Sequence, residues 1–202
     1  MWWRVIKLSV LVCGLYERMA EDTGTGVIWN LAHQAKDRQV EVLYLADNLK
    51  MSVGRKRNIL LSIAQGEWFA FVDDDDEVVS DYVDRLLTAI PLAGDAGVIC
   101  FPQRCEHASG KIEHCKYGLG YEYASTVYNE EADVHVWTGR PAHTQCWRTE
   151  AVNMVEFPEA NFGEDVGWVA RACQRVSKEY RIPDCPELYT YRFDPAKSRT
   201  RG

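Results

Sequence analysis

Short, almost wholly apolar runs alternate with helical segments through the first half of the chain. Residues 6–12, 40–46 and 68–72 are rich in β-branched and other apolar side chains, the pattern of strands buried on both faces of a parallel sheet. Between them, residues 27–36 and 55–65 carry apolar side chains at helical spacing. The order strand, helix, strand, helix, strand predicts an α/β fold with a doubly wound, mostly parallel sheet.

The pattern changes in the second half of the chain. A helix over 81–90 and a strand over 97–101 continue the first pattern, but residues 102–137 are polar and aromatic. A turn at 108–111 separates two short alternating runs, which predicts a small antiparallel hairpin insertion rather than more parallel sheet. The chain then returns to helical spacing over 164–176 and ends in a strand and a basic tail.

Length and composition favour one domain spanning residues 1–202. The 202 residues are 47% apolar and 26% charged, enough for one sizeable core and too few for two. The aromatic share of 11% is typical of a folded chain that also lines a pocket with rings. The formal net charge of -7 gives no general attraction to phosphate backbones, so a nucleic-acid partner is disfavoured.

The cysteines and the apolar runs bear on the compartment. The seven cysteines are odd in number, irregularly spaced and without a Cys-x-x-Cys pair, so neither a disulfide framework nor a zinc ribbon is expected. No stretch reaches the 18 or so apolar residues of a membrane span. We therefore expect a protein of the reducing cytoplasm without an integral membrane segment.

An acidic run follows the third predicted strand. Asp73, Asp74, Asp75 and Asp76 come directly after a buried apolar segment, at what becomes the carboxyl edge of the sheet, where ligands bind in such folds. Clustered carboxylates repel one another unless a cation offsets them, and hard oxygen ligands select Mg²⁺ or Mn²⁺. Residues two apart project the same way from extended backbone, so Asp73 and Asp75 can reach one ion. The alternative is a solvated acidic turn.

Two segments of the chain resemble the family 2 glycosyltransferases of GT-A fold. They are residues 53–58 (Val-Gly-Arg-Lys-Arg-Asn) and residues 64–76 (Ala-Gln-Gly-Glu-Trp-Phe-Ala-Phe-Val and four Asp). That family has Gly, Arg-Asn, then Ala-x-Gly-Glu-aromatic and an apolar strand ending in Asp-x-Asp-Asp. Two more pieces occur in the family's order: Asp47 ends the second predicted strand, and Glu164-Asp165 begins a late helix. The likeness is poor between 100 and 150.

The resemblance implies a GT-A domain that moves a single sugar from a nucleotide-diphosphate sugar, most often a UDP-sugar, to an acceptor hydroxyl with inversion. Residues 1–100 would form the nucleotide-sugar half and 101–202 the acceptor half. The acceptor would be a glycan, a lipid-linked or a small molecule, with nucleic acid or protein less favoured. Residues 145–148 are similar to half of a motif of processive synthases, but Thr149 departs from it, so single transfer is expected.

The resemblance also implies the site residues. Asp165 would be the general base, with Glu164 beside it as the other catalytic candidate, although a helix N-terminus also attracts carboxylates for its dipole. The expected donor-binding residues are Cys13, Gly14, Asp47, Arg55, Arg57, Asp73 and Asp74. The expected ligands of Mn²⁺ or Mg²⁺ are Asp75, Asp73 and Asp76.

Several roles stay open at this point. Arg55 and Arg57 suit a diphosphate, but they also suit an exposed basic helix start. The tail from Tyr191 carries four cations, Arg192, Lys197, Arg199 and Arg201. It could form a flap that closes over a diphosphate, or it could be a frayed terminus. No histidine follows Asp165, so the histidine that completes the metal shell in some GT-A enzymes is missing there. Asp194 or water would take its place, and His143 is expected to be a core or loop histidine.

Other functions compete with this one. Cys105-Glu106-His107 and His114-Cys115 could mirror each other across the hairpin and bind zinc, although their spacings are uncommon. A haloacid-dehalogenase-type phosphatase also ends a strand in Asp-x-Asp, with one Asp as nucleophile, but Glu77 breaks its motif. The Gly-rich loop of a nucleotidylyltransferase is absent after the first strand. A non-catalytic sugar-nucleotide binding module is the remaining alternative.

Overall fold

The computed structural model describes residues 5–20, 25–122, 125–129 and 134–194. Within these ranges the chain forms twelve strands, five α-helices and one short 3₁₀ helix at Ile90–Leu92. The strands are β1 (Leu8–Leu15), β2 (Val40–Asp47), β3 (Trp68–Asp73), β4 (Glu77–Val78), β5 (Val98–Cys100), β6 (Gln103–His107), β7 (Ile112–Tyr117), β8 (Ser125–Asn129), β9 (Val134–Gly139), β10 (Cys146–Arg148), β11 (Glu179–Arg181) and β12 (Tyr189–Phe193). The helices are α1 (Tyr16–Ala20), α2 (Thr25–Ala35), α3 (Val53–Ile63), α4 (Tyr82–Ala89) and α5 (Glu164–Arg175).

The main sheet has six strands in the order β11-β5-β10-β3-β1-β2. Its neighbours pair in parallel except where β10 lies antiparallel between β3 and β5. The predicted α/β class with a mostly parallel sheet is therefore confirmed. β10 was not predicted, since three residues are too few to show an alternating pattern.

Helices cover both faces of this sheet, as a doubly wound fold requires. On β3, Trp68, Ala70 and Val72 pack in one core cluster with residues of α2 and α4. Phe69 and Phe71 pack in a second cluster with residues of α3 and α5. Because both faces are buried, the strand reads as a continuous apolar run rather than an alternating one.

A second six-stranded sheet has the order β4-β12-β6-β7-β9-β8. The predicted hairpin is its centre: β6 and β7 pair antiparallel across the turn at 108–111. The sheet extends beyond the predicted hairpin because β12 joins β6, and β9 joins β7, each in parallel. Such pairings connect distant segments, so local sequence patterns do not reveal them.

The two sequence halves are interleaved in the structure. β10 and β11 return from the second half to complete the main sheet, while β4 from the first half pairs with β12 in the second sheet. None of the seven cysteines forms a disulfide. Among the described residues no helix has the length and apolarity to cross a bilayer. Lys197, Arg199 and Arg201 of the proposed flap lie outside the described residues.

Helix α3 is held against the segment that leads into α5. The backbone amide of Gly54 donates to the carbonyl of Ala160 at 3.1 Å. The Asn58 side chain donates to the carbonyl of Phe157 at 2.9 Å and accepts from its amide at 2.7 Å. A methyl group on Gly54 would overlap the carbonyl oxygen of Pro158. The absence of a side chain at Gly54 therefore allows the two segments to approach.

We expect Gly54→Ala to lower the free energy of unfolding by at least about 2 kcal/mol, because the added methyl group must displace backbone. Gly26→Ala is a matched control, since Gly26 is also the second residue of its helix and a methyl group there meets nothing. It should change stability by less than about 1 kcal/mol. Urea unfolding of both variants measures the difference. Equal stabilities would show that the contact with Pro158 relaxes freely.

Candidate active site

The carboxyl ends of three parallel strands meet at one edge of the main sheet. Cys13 of β1 lies opposite Asp73 of β3, and Leu15 of β1 lies opposite Asp47 of β2. Gly14 stands between them, where a methyl group would overlap the ring of Tyr44. The sequence prediction that these strand ends share one edge is thus met by the register of the strands.

Asp74 and Asp76 are buried and bonded to the protein. Asp74 accepts hydrogen bonds from the amide of Leu15 at 2.9 Å and from the guanidinium of Arg18. Asp76 accepts from the hydroxyl of Tyr189 at 2.6 Å and from the amide of Arg192 at 2.9 Å. Both oxygens of each carboxylate are therefore engaged by the chain, which leaves Asp76 the weakest of the three predicted metal ligands.

Asp73 and Asp75 are the more available carboxylates of the run. Asp75 is half exposed and pairs through one oxygen with Arg18 at 2.8 Å. Burial raises the pKa of Asp75 to about 6, with the charges of Asp73 and Asp74 adding to it and Arg18 opposing it. Burial alone would raise the pKa of Asp73 as well, but the positive charge of Arg57 holds it well below the usual range.

Arg57 is buried at the centre of the site. Its guanidinium donates to Asp73 at 3.0 Å and to Glu164 at 2.6 Å. The same group lies over the rings of Phe71 and Phe157, with its Cζ 5.7 and 5.4 Å from their centroids. It therefore joins the end of β3 to the start of α5, and its position is fixed by ion pairs on two sides and by aromatic rings.

Lys56 is a second buried cation, and it joins the neighbouring ends of β1 and β2. Its buried ammonium donates to the carbonyl of Gly14 at 2.8 Å and to Asp47 at 3.0 Å. The other oxygen of Asp47 accepts from the amides of Lys50 and Met51, each at 2.7 Å. Burial alone would raise the pKa of Asp47, but these partners lower it below its usual value. Asp47 is thus held as a charged carboxylate at the carboxyl edge of the main sheet.

The two acidic residues at the start of α5 differ in environment. Glu164 is buried against Arg57, and burial raises its pKa even though Arg57 opposes the shift. The side chain of Asp165 is 39% exposed and belongs to the lining of a cavity of about 270 Å³. Of the two catalytic candidates, Asp165 is the one that lines the cavity.

His143 lies between the carboxyl end of β3 and the start of α5. Its Nε2 is 3.7 Å from an oxygen of Asp73, and its Nδ1 is 3.7 Å from an oxygen of Asp165. The ring is nine-tenths buried, and within the described part of the chain Nε2 has no hydrogen-bond partner. His143 is a buried loop histidine, as expected, and the structure also places it between two predicted site residues, Asp73 and Asp165.

The remaining walls of the cavity come from the second sheet, from the loop after β9 and from α5. Tyr117 of β7 and Trp137 of β9 face it with rings whose centroids are 5.3 Å apart, and Arg140 contributes a cation. None of these three residues belongs to the motifs quoted from the sequence. Aromatic rings with a few polar groups at one end are typical of ligand pockets.

Lys56 was not identified from the sequence as a site residue, and Arg57 was expected to bind the donor, yet both cations are buried in the protein. The spacing of apolar residues along α3 contains a signal for this burial. Leu60 marks the buried face of α3, and helical spacing puts Lys56 and Arg57, four and three residues before it, on that face. Arg55 falls outside this face and is exposed. The spacing therefore distinguishes the two arginines: Arg57 is a buried structural cation, while Arg55 is free to meet solvent or a ligand.

The residues present fit a divalent cation. Asp73 keeps one oxygen that Arg57 does not bind, Asp75 is accessible, and the unpartnered Nε2 of His143 faces that oxygen of Asp73. Carboxylate oxygens suit Mg²⁺ or Mn²⁺, and an imidazole nitrogen is more suited to Mn²⁺ than to Mg²⁺. The donor set therefore suits such an ion in its chemistry, although among the described residues Asp73, Asp75 and His143 do not bring three ligand atoms within 4.8 Å of one another.

We expect Arg57→Met to lower the free energy of unfolding by about 3–5 kcal/mol, because it leaves the buried carboxylate of Glu164 and the partly buried carboxylate of Asp73 without their partner. Arg55→Met, two residues away on the exposed face, is the control and should change stability by less than about 0.5 kcal/mol. Chemical unfolding of the two variants tests this. A similar small loss in both would contradict a structural role for Arg57.

Solved structures with the same fold include crystal structures of S. aureus TarS. The TarS 1-349 complex with UDP-GlcNAc has a TM-score of 0.64 and 16% identity, over 97% of this chain and 61% of that chain. The complex of TarS 1-349 with UDP has a TM-score of 0.60 and 18% identity, over 94% of this chain and 61% of that chain. The present chain thus spans less than two thirds of those proteins, and at such identity the likeness shows the fold.

Family membership comes from the sequence. No curated protein sequence matches the chain significantly. The model of the family described as "Glycosyl transferase family 2" matches residues 24–149, which include α2, α3, β3, the acidic run and His143. Since this match covers more than half of the chain, the protein belongs to glycosyl transferase family 2.

Proposed function

We propose that the protein is an inverting, metal-assisted glycosyltransferase that moves one sugar from a UDP-sugar to an acceptor hydroxyl. The observation that supports this best is the arrangement around His143, whose two nitrogens lie 3.7 Å from Asp73 and from Asp165. Asp73 belongs to the donor edge of the sheet and Asp165 to the wall of the cavity. Sugar transfer requires a donor site and a base on opposite sides of one reacting carbon.

Uridine diphosphate is the proposed donor nucleotide. TarS, which shares the fold, has been crystallised with UDP-GlcNAc and with UDP. In the present chain the matching strand edge offers the charged Asp47, the backbone around Gly14 and the exposed Arg55. A carboxylate can accept from the base of a nucleotide, and a guanidinium can donate to its diphosphate.

In the proposed reaction Asp165 removes the proton of the acceptor hydroxyl. The hydroxyl oxygen forms a bond to the anomeric carbon while the bond from that carbon to the diphosphate oxygen breaks, and UDP leaves with the electron pair. One base and one in-line displacement, with no protein nucleophile, invert the anomeric centre. Glu164 does not touch the cavity in this scheme: through Arg57 it fixes the start of α5 relative to Asp73.

Asp73 and Asp75 would hold the divalent ion, with His143 as a nitrogen donor beside them. When bound, the ion neutralises the negative charge of the leaving diphosphate. Asp74 and Asp76 would not need to bind it, because they fix the loop through Arg18 and Tyr189. In this scheme two aspartates of the acidic run bind the ion, and the other two hold the loop in place.

The acceptor would enter the cavity beside Asp165. Tyr117 and Trp137 give it an aromatic wall, and Arg140 gives it a cation. Rings and a few polar groups suit a glycan, a lipid-linked sugar or a small hydroxyl-bearing molecule. A volume of about 270 Å³ suits one sugar residue rather than a long chain.

The phosphatase alternative accounts for less of the site. It would use an aspartate of the acidic run as a nucleophile, which explains neither Asp165 in the cavity nor His143 between Asp73 and Asp165. A non-catalytic binding module would keep the donor edge but would need no carboxylate at the acceptor side. The variants below separate these three functions.

We expect Asp165→Asn to lower the turnover of sugar transfer by about 10²–10⁴-fold, the usual contribution of a general base, while UDP affinity changes less than about tenfold. The amide keeps the shape of the side chain and loses its basicity. The assay follows UDP release and the glycosylated product with a panel of UDP-sugars and hydroxyl acceptors, and calorimetry gives the affinity for UDP.

Asp184→Asn, at an exposed position, is the control and should leave turnover unchanged. Near wild-type transfer by Asp165→Asn would contradict the catalytic assignment. UDP binding without any transfer by the wild-type protein would favour the binding module, and release of phosphate from aryl phosphates would favour the phosphatase. A product with the donor's own anomeric configuration, read from proton coupling constants, would rule out inversion.

We also expect UDP binding to require Mn²⁺ or Mg²⁺ and to weaken at least about tenfold in Asp75→Ala, because a metal shell that loses a ligand loses affinity. Calorimetric titration with each ion and with excess chelator measures this. Asp95→Ala removes another exposed carboxylate, one that pairs with Lys178 instead of Arg18, and should bind UDP like the wild type. Undiminished binding in chelator would remove the ion from the proposal.

A further inference from the structure

A second group of metal-binding side chains lies on the β6–β7 hairpin, away from the acidic run. Cys105 and His107 are two residues apart on β6 and therefore project from the same face. Glu113 of β7 is directly opposite Cys105 in the register of the hairpin. The pairing thus brings a thiol, an imidazole and a carboxylate to one place on the second sheet.

The distances between these groups are close to those of a metal shell. Cys105 Sγ lies 3.5 Å from His107 Nε2, and Nε2 lies 2.8 Å from Glu113 Oε2. One ligand atom from each residue falls within 4.8 Å of the others. Around a tetrahedral zinc ion with ordinary bond lengths, ligand atoms are roughly 3.3–3.6 Å apart. The thiol–imidazole distance already fits, and the carboxylate would have to withdraw by about 0.5 Å.

The surroundings favour a fixed site. Cys105 is buried, and the edge of the His107 ring packs against Phe193 with centroids 5.4 Å apart. Lys111 donates to Oε1 of Glu113 at 2.9 Å, so the carboxylate is oriented by a partner while Oε2 points to the imidazole. An oriented carboxylate with one oxygen left for the ion is a common feature of metal sites in proteins.

We propose that Cys105 Sγ, His107 Nε2 and Glu113 Oε2 bind one Zn²⁺ ion, with water as the fourth ligand. Sulfur, nitrogen and a single carboxylate oxygen form a set that favours zinc over the Mg²⁺ or Mn²⁺ proposed for the acidic run. Binding releases the thiol proton to solvent, since the thiolate is the form that coordinates metal. The ligand set differs from a symmetric hairpin site, because His114 bonds to Glu187 instead.

The proposed ion would act on structure rather than on chemistry. It would join β6 to β7, and β6 pairs with β12, which carries Tyr189. The hydroxyl of Tyr189 accepts from the amide of Asp73 at 3.1 Å and donates to Asp76 at 2.6 Å. A zinc ion on the hairpin would therefore stabilise the sheet that supports the acidic run.

The test is a Co²⁺ titration of the full chain after dialysis against a chelator. Cobalt replaces zinc in such sites, and thiolate coordination gives a charge-transfer band in the near ultraviolet that an all-oxygen site cannot give. We expect the band with one equivalent of Co²⁺, and its loss when Zn²⁺ is added. It should disappear in Cys105→Ser, and cobalt affinity should fall at least about tenfold in His107→Gln and in Glu113→Gln.

Two control variants keep the test specific. Cys185→Ser removes another partly buried thiol, and Asp75→Asn removes a carboxylate of the acidic run, so both should retain the band. Circular dichroism establishes that each variant is folded, and if Cys105→Ser does not fold, the two other ligand variants decide the question. A wild-type protein without the band, or a band undiminished in folded His107→Gln and Glu113→Gln, would overturn the proposal.

Discussion

The buried guanidinium of Arg57 is the interaction on which the site depends. It connects the end of β3, the start of α5 and the rings of two phenylalanines. Asp73 and Glu164 are therefore held at a fixed distance from each other. A buried cation is costly unless it is paired, and Arg57 is paired through two of its three nitrogens, since its Nε has no hydrogen-bond partner among the described residues. The position of Asp165, next to Glu164, follows from this connection.

The four consecutive aspartates illustrate how one charged run can be tolerated in a folded protein. Asp74 and Asp76 are neutralised or hydrogen-bonded by Arg18, Tyr189 and backbone amides, and burial keeps their pKa values raised. Only part of the run's charge then faces the edge of the sheet. The protein's own partners offset the repulsion between the buried aspartates. In the proposed enzyme, the ion would offset the repulsion between Asp73 and Asp75.

Sequence patterns predicted the strands and helices whose residue pattern is visible within one short segment of the chain. The strands that end at Asp47 and Asp73 could be found because each is an apolar run that ends in acidic residues. The helix that begins at Glu164 could be found because two acidic residues precede apolar residues at helical spacing. The antiparallel β10 and the pairing of β12 with β6 could not, since they depend on contacts between distant segments. His143 belongs to the same class: it stands alone in the sequence, and only the return of the chain along β10 brings it between Asp73 and Asp165.

The attachment of α3 to the segment before α5 has a consequence for how the protein can diversify. Arg57 and Asn58 are adjacent, yet they hold Glu164 and Phe157, so the start of α5 is fixed at two points from one helix turn. The opposite wall of the cavity belongs to another sheet, with Tyr117 and Trp137. Substitutions on that wall would reshape the cavity without moving Asp165, so the two sides of the cavity can vary independently in evolution.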